Sequence, residues 1–368
     1  MTILEMVLLV VCSIQFLYYG VIFTPFVFKK KSQAKTPTKL PPVSVIICAQ
    51  NEARNITEFL PKIIEQNYGT FEIVLVNDRS FDTTLEIMKD FQLKYQKIIK
   101  IINIEETKDS WSGKKYALTL GIKAATYEHL LFIDADCYPL SKDWIQESMY
   151  HLKEKSLVLG YGAYKTIKNS LLNKMIRFET VLTAIQYFSF ANIGLPYMGV
   201  GRNIGYTKSL FFENNGFSDH IHLKSGDDDL FVNQVATKEN FAINTGFNSF
   251  TVSQPNTSFK SWIRQKRRHV STATHYKIKH QYLLGLFYVS QISFWLATIL
   301  ALIFNQTTPI IFSLIGIRFL LSYIVFGRSF KMFHEKGLLL FAPFLELFLI
   351  LVQLFIFNKN LIKKPTHW

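Results

Sequence analysis

The chain is short of cysteine: Cys12, Cys48 and Cys137 are the three it has, scattered with no metal-type spacing. That scatter predicts no disulfide framework. Acids are scarce too, 27 Asp and Glu against 41 Lys and Arg, leaving a net charge of +14. A nucleic-acid binder would gather such charge on one helix or arm. Here it is spread, with clusters beside apolar segments, which fits a domain lying on an anionic inner leaflet and gives no reason to expect nucleic acid. No internal repeat is visible. What is abundant is apolar: 49% of 368 residues are hydrophobic, with 33 Phe and 17 Tyr. The mean hydropathy of +0.16 is high for a soluble enzyme and points to membrane segments.

Ile3 to Phe28 is an apolar run with one charge, Glu5, and it ends in Lys29, Lys30 and Lys31. It is long enough to span, since a crossing needs about 20 apolar residues. A cleaved signal peptide would carry its positive charge before the run rather than after it. The expectation is a retained anchor (residues 1–30) with the lysines inside. Three more runs of spanning length follow, Gln281 to Phe304, Pro309 to Phe326 and Leu338 to Phe357, in an expected membrane domain over 277–368. The loop with Arg328, Lys331 and Lys336 and the tail with Lys359, Lys363 and Lys364 are about equally basic, yet three spans would put them on opposite sides. One run as a re-entrant or interfacial segment would remove the conflict. Arg318 and Glu346 fall near the middles of the last two runs, where unpaired charge is costly, so they are expected to pair.

Between the linker Ser32 to Pro42 and the last spans, strands and helices alternate. The strands expected are Val43 to Cys48, Glu72 to Val76, Ile98 to Ile104 and His129 to Ile133. The helices are Arg54 to Gln66, Asp82 to Gln96 and Lys114 to Ala125. Such alternation means an α/β domain on a mostly parallel sheet, expected over 41–276. Leu171 to Phe190 reads as a further helix, either on the membrane surface or packed on the sheet.

The strand His129 to Ile133 stops on Asp134 and Asp136, at the carboxyl end where open α/β sheets bind ligands. Two carboxylates on one face suit a hard cation, Mg²⁺ or Mn²⁺, shared with substrate phosphates. The plainer alternative is an acid pair capping the next helix. Other tips carry polar groups as well: Ala49-Gln50-Asn51-Glu52 after the first strand and Asn77-Asp78-Arg79-Ser80 after the second. Ser112-Gly113-Lys114-Lys115 opens a helix with a basic pair suited to a diphosphate, though it is not a Walker loop. Later, Asp227, Asp228 and Asp229 stand in a row, which needs a cation, a basic partner or full solvation; an exposed acidic helix start is the rival. Gln265-Lys266-Arg267-Arg268-His269 is a dense basic cluster suited to lipid phosphates or a diphosphate.

The ordered set Asn51-Glu52, Asp78, Asp134-x-Asp136, Gly226-Asp227-Asp228 and Gln265-x-x-Arg268 resembles a membrane-bound glycosyltransferase of family 2. The likeness covers about Pro42 to His275. It implies a GT-A nucleotide-diphospho-sugar fold flanked by transmembrane helices, in the plasma (inner) membrane with the catalytic domain cytoplasmic. By that resemblance Ala49, Asn51, Glu52 and Asp78 hold the nucleoside, with Lys114 and Arg267 also on the donor. Asp134 and Asp136 take the metal and diphosphate, and Asp228, with Asp227 or Asp229 as alternatives, is the base. Gln265 and Arg268 belong to the Gln-x-x-Arg-Trp segment beside the acceptor channel, and Gly199 to Asn203 resembles the acceptor-side loop. His269 stands where processive members have Trp. The expected reaction is inverting, metal-dependent transfer of one sugar from a UDP- or GDP-type donor to a lipid-linked or glycan acceptor. Arg267 or Arg268 is expected to keep Asp228 ionised. The alternative is a processive polysaccharide synthase.

Overall fold

The structure is a computed structural model that describes residues 2–29, 39–105, 113–223, 225–306 and 308–362. Lys30, Lys31, most of the proline-containing linker, Ser112, Lys363 and Lys364 lie outside the described residues. Helix α1 (Ile3–Phe16) continues through a π-helical stretch (Leu17–Phe23) into α2 (Thr24–Val27). Next come β1 (Val43–Ala49), α3 (Ala53–Ile64), β2 (Phe71–Asp78), α4 (Thr84–Lys94), β3 (Ile99–Ile104), α5 (Lys114–Ala124) and β4 (His129–Phe132). Shorter pieces follow: β5 (Cys137–Pro139), α6 (Trp144–Leu152), β6 (Leu157–Leu159), β7 (Gly162–Tyr164), α7 (Leu171–Asn192), β8 (Ile204–Thr207), α8 (Lys208–Glu213), α9 (Asp229–Val235), β9 (Phe241–Ile243) and β10 (Thr251–Ser253). The chain closes with α10 (Phe259–Thr272), α11 (Ile278–Ile303), α12 (Pro309–Met332) and α13 (Ala342–Ile362). The predicted strands and helices up to β4 are all present, with ends shifted by a few residues.

These elements form two compact units. In the first, a seven-stranded sheet runs β3-β2-β1-β4-β8-β6-β9, and a three-stranded sheet runs β5-β10-β7. Strands β1 to β4 are parallel; β8 runs antiparallel to both β4 and β6. The run Val45, Ile46, Ile47 and its partners Ile73, Val74 and Leu75 are almost wholly buried, as a sheet covered on both faces requires. Parallel register puts the carboxyl ends of β1, β2 and β4 along one edge: Ala49 pairs with Asn77, and Ile46 with Phe132. Asn51, Asp78 and Asp134 follow from those ends.

The second unit gathers α1, α2, α7 and α10 to α13. Four helical segments among the described residues are long and apolar enough to cross a membrane: Ile3–Val27, Ile278–Ile303, Pro309–Met332 and Leu339–Ile362. The long helix α7 packs on α2, α12 and α13 within this unit, so of the two sequence readings its partners are the apolar helices. The expected pair forms: Arg318 Nη2 donates to Glu346 Oε1 at 2.5 Å, both side chains about 1% exposed. Tyr19 and Gln291 donate to the same carboxylate oxygen, and Arg318 Nε donates to Gln15 Oε1. A buried charge pair is tolerable when neighbouring groups also bond it, which is what these side chains do.

Candidate active site

The tips of β1 and β2 are bonded to each other. Ser80 Oγ accepts from Asn51 N–H (3.0 Å), Asn51 Oδ1 accepts from Phe81 N–H (3.0 Å), and Thr84 Oγ1 accepts from Glu52 N–H (2.8 Å). Asp82 accepts from Ala53 N–H and from Thr84. Asn51 and Arg79 both have positive φ, 57° and 55°, a conformation that asparagine tolerates better than most residues. Asp78 is buried and pairs with Arg79 at 2.9 Å. Ala49, also buried, ends β1 as a small side chain next to this floor. Burial, with Asp136 and Asp134 nearby, raises the Glu52 carboxyl above its ordinary range, although Asn55 donates to it.

At the start of α5, Gly113 takes φ 93°, which only glycine adopts readily, and turns the chain so that Lys114 opens the helix. A cation at a helix N-terminus is disfavoured by the helix dipole and needs partners. Lys114 has two: Asp134 Oδ1 at 2.7 Å and Asp227 Oδ2 at 3.1 Å. Lys115 donates instead to the carbonyls of His220 and Leu223, tying down the turn before the acidic run, and burial lowers its ammonium to about 8. Asp134, 35% exposed, stays open to a ligand, whereas Asp227 at 11% is held inside. Burial pushes Asp227 upward, but the Lys114 ammonium outweighs it and holds the carboxyl below its usual value.

Asp228 caps α9. Its Oδ1 accepts from Asp229 N–H (2.8 Å) and its Oδ2 from Gly201 N–H (2.7 Å). The turn before it depends on Gly226, whose φ of 98° and contact with Leu230 (2.4 Å to an added Cβ) exclude a side chain. Burial and then the neighbouring Asp227 and Asp229 raise Asp228 to about 7. Within the sheet unit its hold on a proton is therefore strengthened. The counter-charges that the sheet unit itself supplies are Lys114 and Lys115. Asp229 turns its Oδ1 onto Leu230 N–H. One cleft gathers Lys114, Asp134, Gly201, Asp227, Asp228, Ile204 and Tyr206.

Asp134, Asp136 and Cys137 offer ligand atoms that lie within 4.8 Å of one another. The thiol is bonded to Ser253 Oγ (2.8 Å) and burial lifts it well above its ordinary value, so it stays neutral. What remains is a pair of hard carboxylate oxygens, and burial together with Asp134 raises Asp136 although Arg202 and Lys114 oppose the rise, the response of buried, crowded acids. That donor set fits Mg²⁺ or Mn²⁺.

The structure thus brings together Asp134, Asp136, Lys114, Asp227 and Asp228, and, at the adjoining strand tips, Ala49, Asn51, Glu52 and Asp78. Gln265, Arg267 and Arg268 lie on α10 in the other unit, where Arg267 Nε donates to Asn360 Oδ1 at 2.8 Å. Sequence reasoning placed Gly199 to Asn203 at the acceptor side without a bond; Gly201 turns out to anchor Asp228, and Arg202 Nη2 donates to Gly162 O. The conjunction of Lys114 with Asp227 was also missed, because 113 residues separate them and no local pattern reports such a pairing.

Residues 44–213 match the profile of Glycosyl transferase family 2. Glycosyltransferase AglE of Haloferax volcanii is 29% identical over 198 residues, 51% of this chain and 59% of that protein. A poly-beta-1,6-N-acetyl-D-glucosamine synthase of Staphylococcus epidermidis is 33% identical over 94 residues, 26% of this chain and 21% of the synthase. The chain spans less than two thirds of the length of either relative. Among solved structures, a mannosyltransferase from Pyrobaculum calidifontis shares the fold, with a TM-score of 0.61 over 94% of this chain and 99% of that one at 17% identity. The family match runs from β1 to α8, the part of the sheet unit that carries Asp78, Lys114, Asp134 and Asp136, so the chain carries a glycosyltransferase family 2 domain with a GT-A fold, beside helices long and apolar enough to cross a membrane.

Proposed function

We propose that the chain transfers a single sugar, with inversion, from a UDP- or GDP-type nucleotide-diphospho-sugar to a lipid-linked or glycan acceptor at the cytoplasmic face of the plasma (inner) membrane. The observation that carries this reading is the meeting of Asp228 with the Asp134–Lys114–Asp227 bridge in one cleft at the ligand-binding edge of the sheet. The Pyrobaculum calidifontis mannosyltransferase holds GDP-Man and Mn²⁺, which supports a donor and a cation of these classes here.

In this reading the floor formed by Ala49, Asn51, Glu52 and Asp78 receives the nucleoside. A divalent ion held by Asp134 and Asp136 would supply positive charge for the leaving diphosphate. Lys114 adds its own charge from the opening of α5. Asp228, fixed by two backbone N–H groups, accepts the proton of the acceptor hydroxyl as that oxygen bonds to the anomeric carbon and the nucleoside diphosphate leaves from the opposite face. A carboxyl near 7 is well matched to this work at neutral pH. Asp227 is committed to Lys114 and Asp229 to its own helix start, which favours Asp228 among the three. Gln265 and Arg268 are assigned to the acceptor side, Arg267 to the diphosphate. His269, in the place of an aromatic platform, favours one transfer over chain growth.

The test is nucleoside diphosphate release by the purified full chain in detergent, over a panel of UDP- and GDP-sugars with Mn²⁺ or Mg²⁺ and lipid extract as acceptor. Release with one donor, abolished by EDTA, and one added sugar per acceptor are expected. A ladder of products would replace single transfer with polymer synthesis.

A further inference from the structure

We infer that α13, although apolar and long enough to cross, lies along the membrane surface on the catalytic side, so that the chain crosses the bilayer three times. The placement of α13 beside α10 leads there. Phe259, the first residue of α10, packs its ring on Phe348 at 6.2 Å. At the other end, Asn360 exchanges hydrogen bonds with Arg267: Arg267 Nε donates to Asn360 Oδ1 (2.8 Å) and Asn360 Nδ2 donates to Arg267 O (3.0 Å). These contacts are eight residues apart on α10 and twelve apart on α13, about 12 Å and 18 Å at the α-helical rise, so the helices run side by side in the same direction.

Helix α10 cannot be in the hydrocarbon. Lys260, Arg264, Lys266, Arg267 and Arg268 fall within its 14 residues, and ionised side chains there are prohibitive. The far end of α13 is therefore at the surface where α10 lies. Its near end is on that surface too. Glu335, in the turn before α13, takes Arg177 of α7 in a 2.5 Å ion pair, Lys336 O accepts from the same guanidinium, and Lys174 sits 4.1 Å from the ring centre of Phe341. Helices α7 and α10 are themselves joined by Lys266 and Glu179 at 2.9 Å. The chain on both sides of α7 belongs to the sheet unit, so α7 cannot change sides of the membrane, and α10 follows directly from the same unit. Both ends of a helix about 32 Å long are thus tied to one face, which a spanning helix forbids.

On its other face α13 rests on the crossings, where Glu346 bonds Arg318, Gln291 and Tyr19 and Ile350 O accepts from Tyr288, so it lies sunk below α10 rather than on top of the headgroups. At the opposite end of the unit, Thr308 at the start of α12 donates to Glu5 at the start of α1 (2.7 Å), so α1, α11 and α12 are the three crossings. Lys29, Lys277, Lys331 and Lys359 then all fall on the catalytic side, which satisfies the bias of basic residues that a crossing α13 would break. Lipid would meet the exposed Phe344, Leu351 and Phe355 while α10 covers the helix with charge.

Single cysteines in the full chain test this in sealed membranes with a membrane-impermeant maleimide, the unsubstituted chain giving the background of the native thiols. Glu154→Cys marks the catalytic side and Gln306→Cys, between α11 and α12, the other. Lys359→Cys is expected to react from the same side as Glu154→Cys; reaction from the side of Gln306→Cys overturns the inference. As an independent measurement, bimane on Phe344→Cys and on Phe357→Cys should be quenched by nitroxide lipids at similar depths in the catalytic-side leaflet. Depths differing by about 20 Å, the axial separation of thirteen helical residues, would restore a spanning α13.

Discussion

The protein buries charge in two places and treats it in opposite ways. In the membrane unit Arg318 meets Glu346 one for one, and Tyr19, Gln291 and Gln15 bond the pair. At the sheet edge Asp134, Asp136, Asp227 and Asp228 outnumber the Lys114, Lys115 and Arg202 cations near them, and both Asp136 and Asp228 respond by holding their protons more tightly. The first cluster balances its charges one against one and serves packing. The second is left with an excess of negative charge, which is what the proposed function requires of a site for a cation and a diphosphate.

That contrast can be broken at either end. The largest effect is expected from Asp228→Asn, which keeps a good helix cap but cannot take a proton; transfer should fall about 10²–10⁴-fold while donor affinity holds. Measured turnover close to that of the native chain would remove Asp228 from the base role. Arg318→Met should destabilise the membrane unit by about 3–5 kcal/mol, because it leaves Glu346 buried and unpaired, and adding Glu346→Leu should restore most of the loss. Thermal unfolding in detergent reads both, and a pair that serves packing alone should show no change in donor binding with either variant. Asp136→Ala is expected to weaken donor binding about tenfold or more, about 1.4 kcal/mol, in Mn²⁺ but not in EDTA, by titration calorimetry. Equal loss in EDTA would mean that the carboxylate touches the donor without a metal.

The smallest and most diagnostic effect is the pH profile. Asp228 titrates near 7 and must be ionised to accept a proton, so activity should be level above about 7 and fall about tenfold for each unit below it. Stability moves the other way. A carboxyl whose folded value lies above its unfolded one favours the fold at low pH and loses that advantage as pH rises through about 7. Asp228→Asn should flatten this fall in melting temperature between pH 5 and 8, a range chosen to bracket the ordinary stability maximum. A profile with no break near 7 would show that another group limits the reaction.

Much of this was legible in the sequence for a physical reason. Strands β1, β2 and β4 are runs of apolar residues that end abruptly on Asn51, Asp78 and Asp134, and a parallel sheet must bring such ends to one edge. Asp134 and Asp136 were readable as a hard-cation pair by the same logic. Strands β5, β6, β7, β9 and β10 are three residues each, too short to carry a periodicity, and they escaped notice. The role of Gly201 was invisible because it acts through a backbone N–H that any residue possesses. The gathering of α7 with the apolar helices was left open, since a helix buried on nearly every face looks the same whether its neighbours are strands or spans.

The bonds that join the loop after β1 to the loop after β2 have a consequence for how this part of the molecule can change. Asn51, Glu52 and Ala53 lean on Ser80, Phe81, Asp82 and Thr84 through four hydrogen bonds in which each loop supplies donors or acceptors that the other needs. Neither segment can be grafted from a relative alone without stranding polar groups on the one that stays. Residues 50–53 and 79–84 are therefore a single cassette, and either loop can be rebuilt only together with the other.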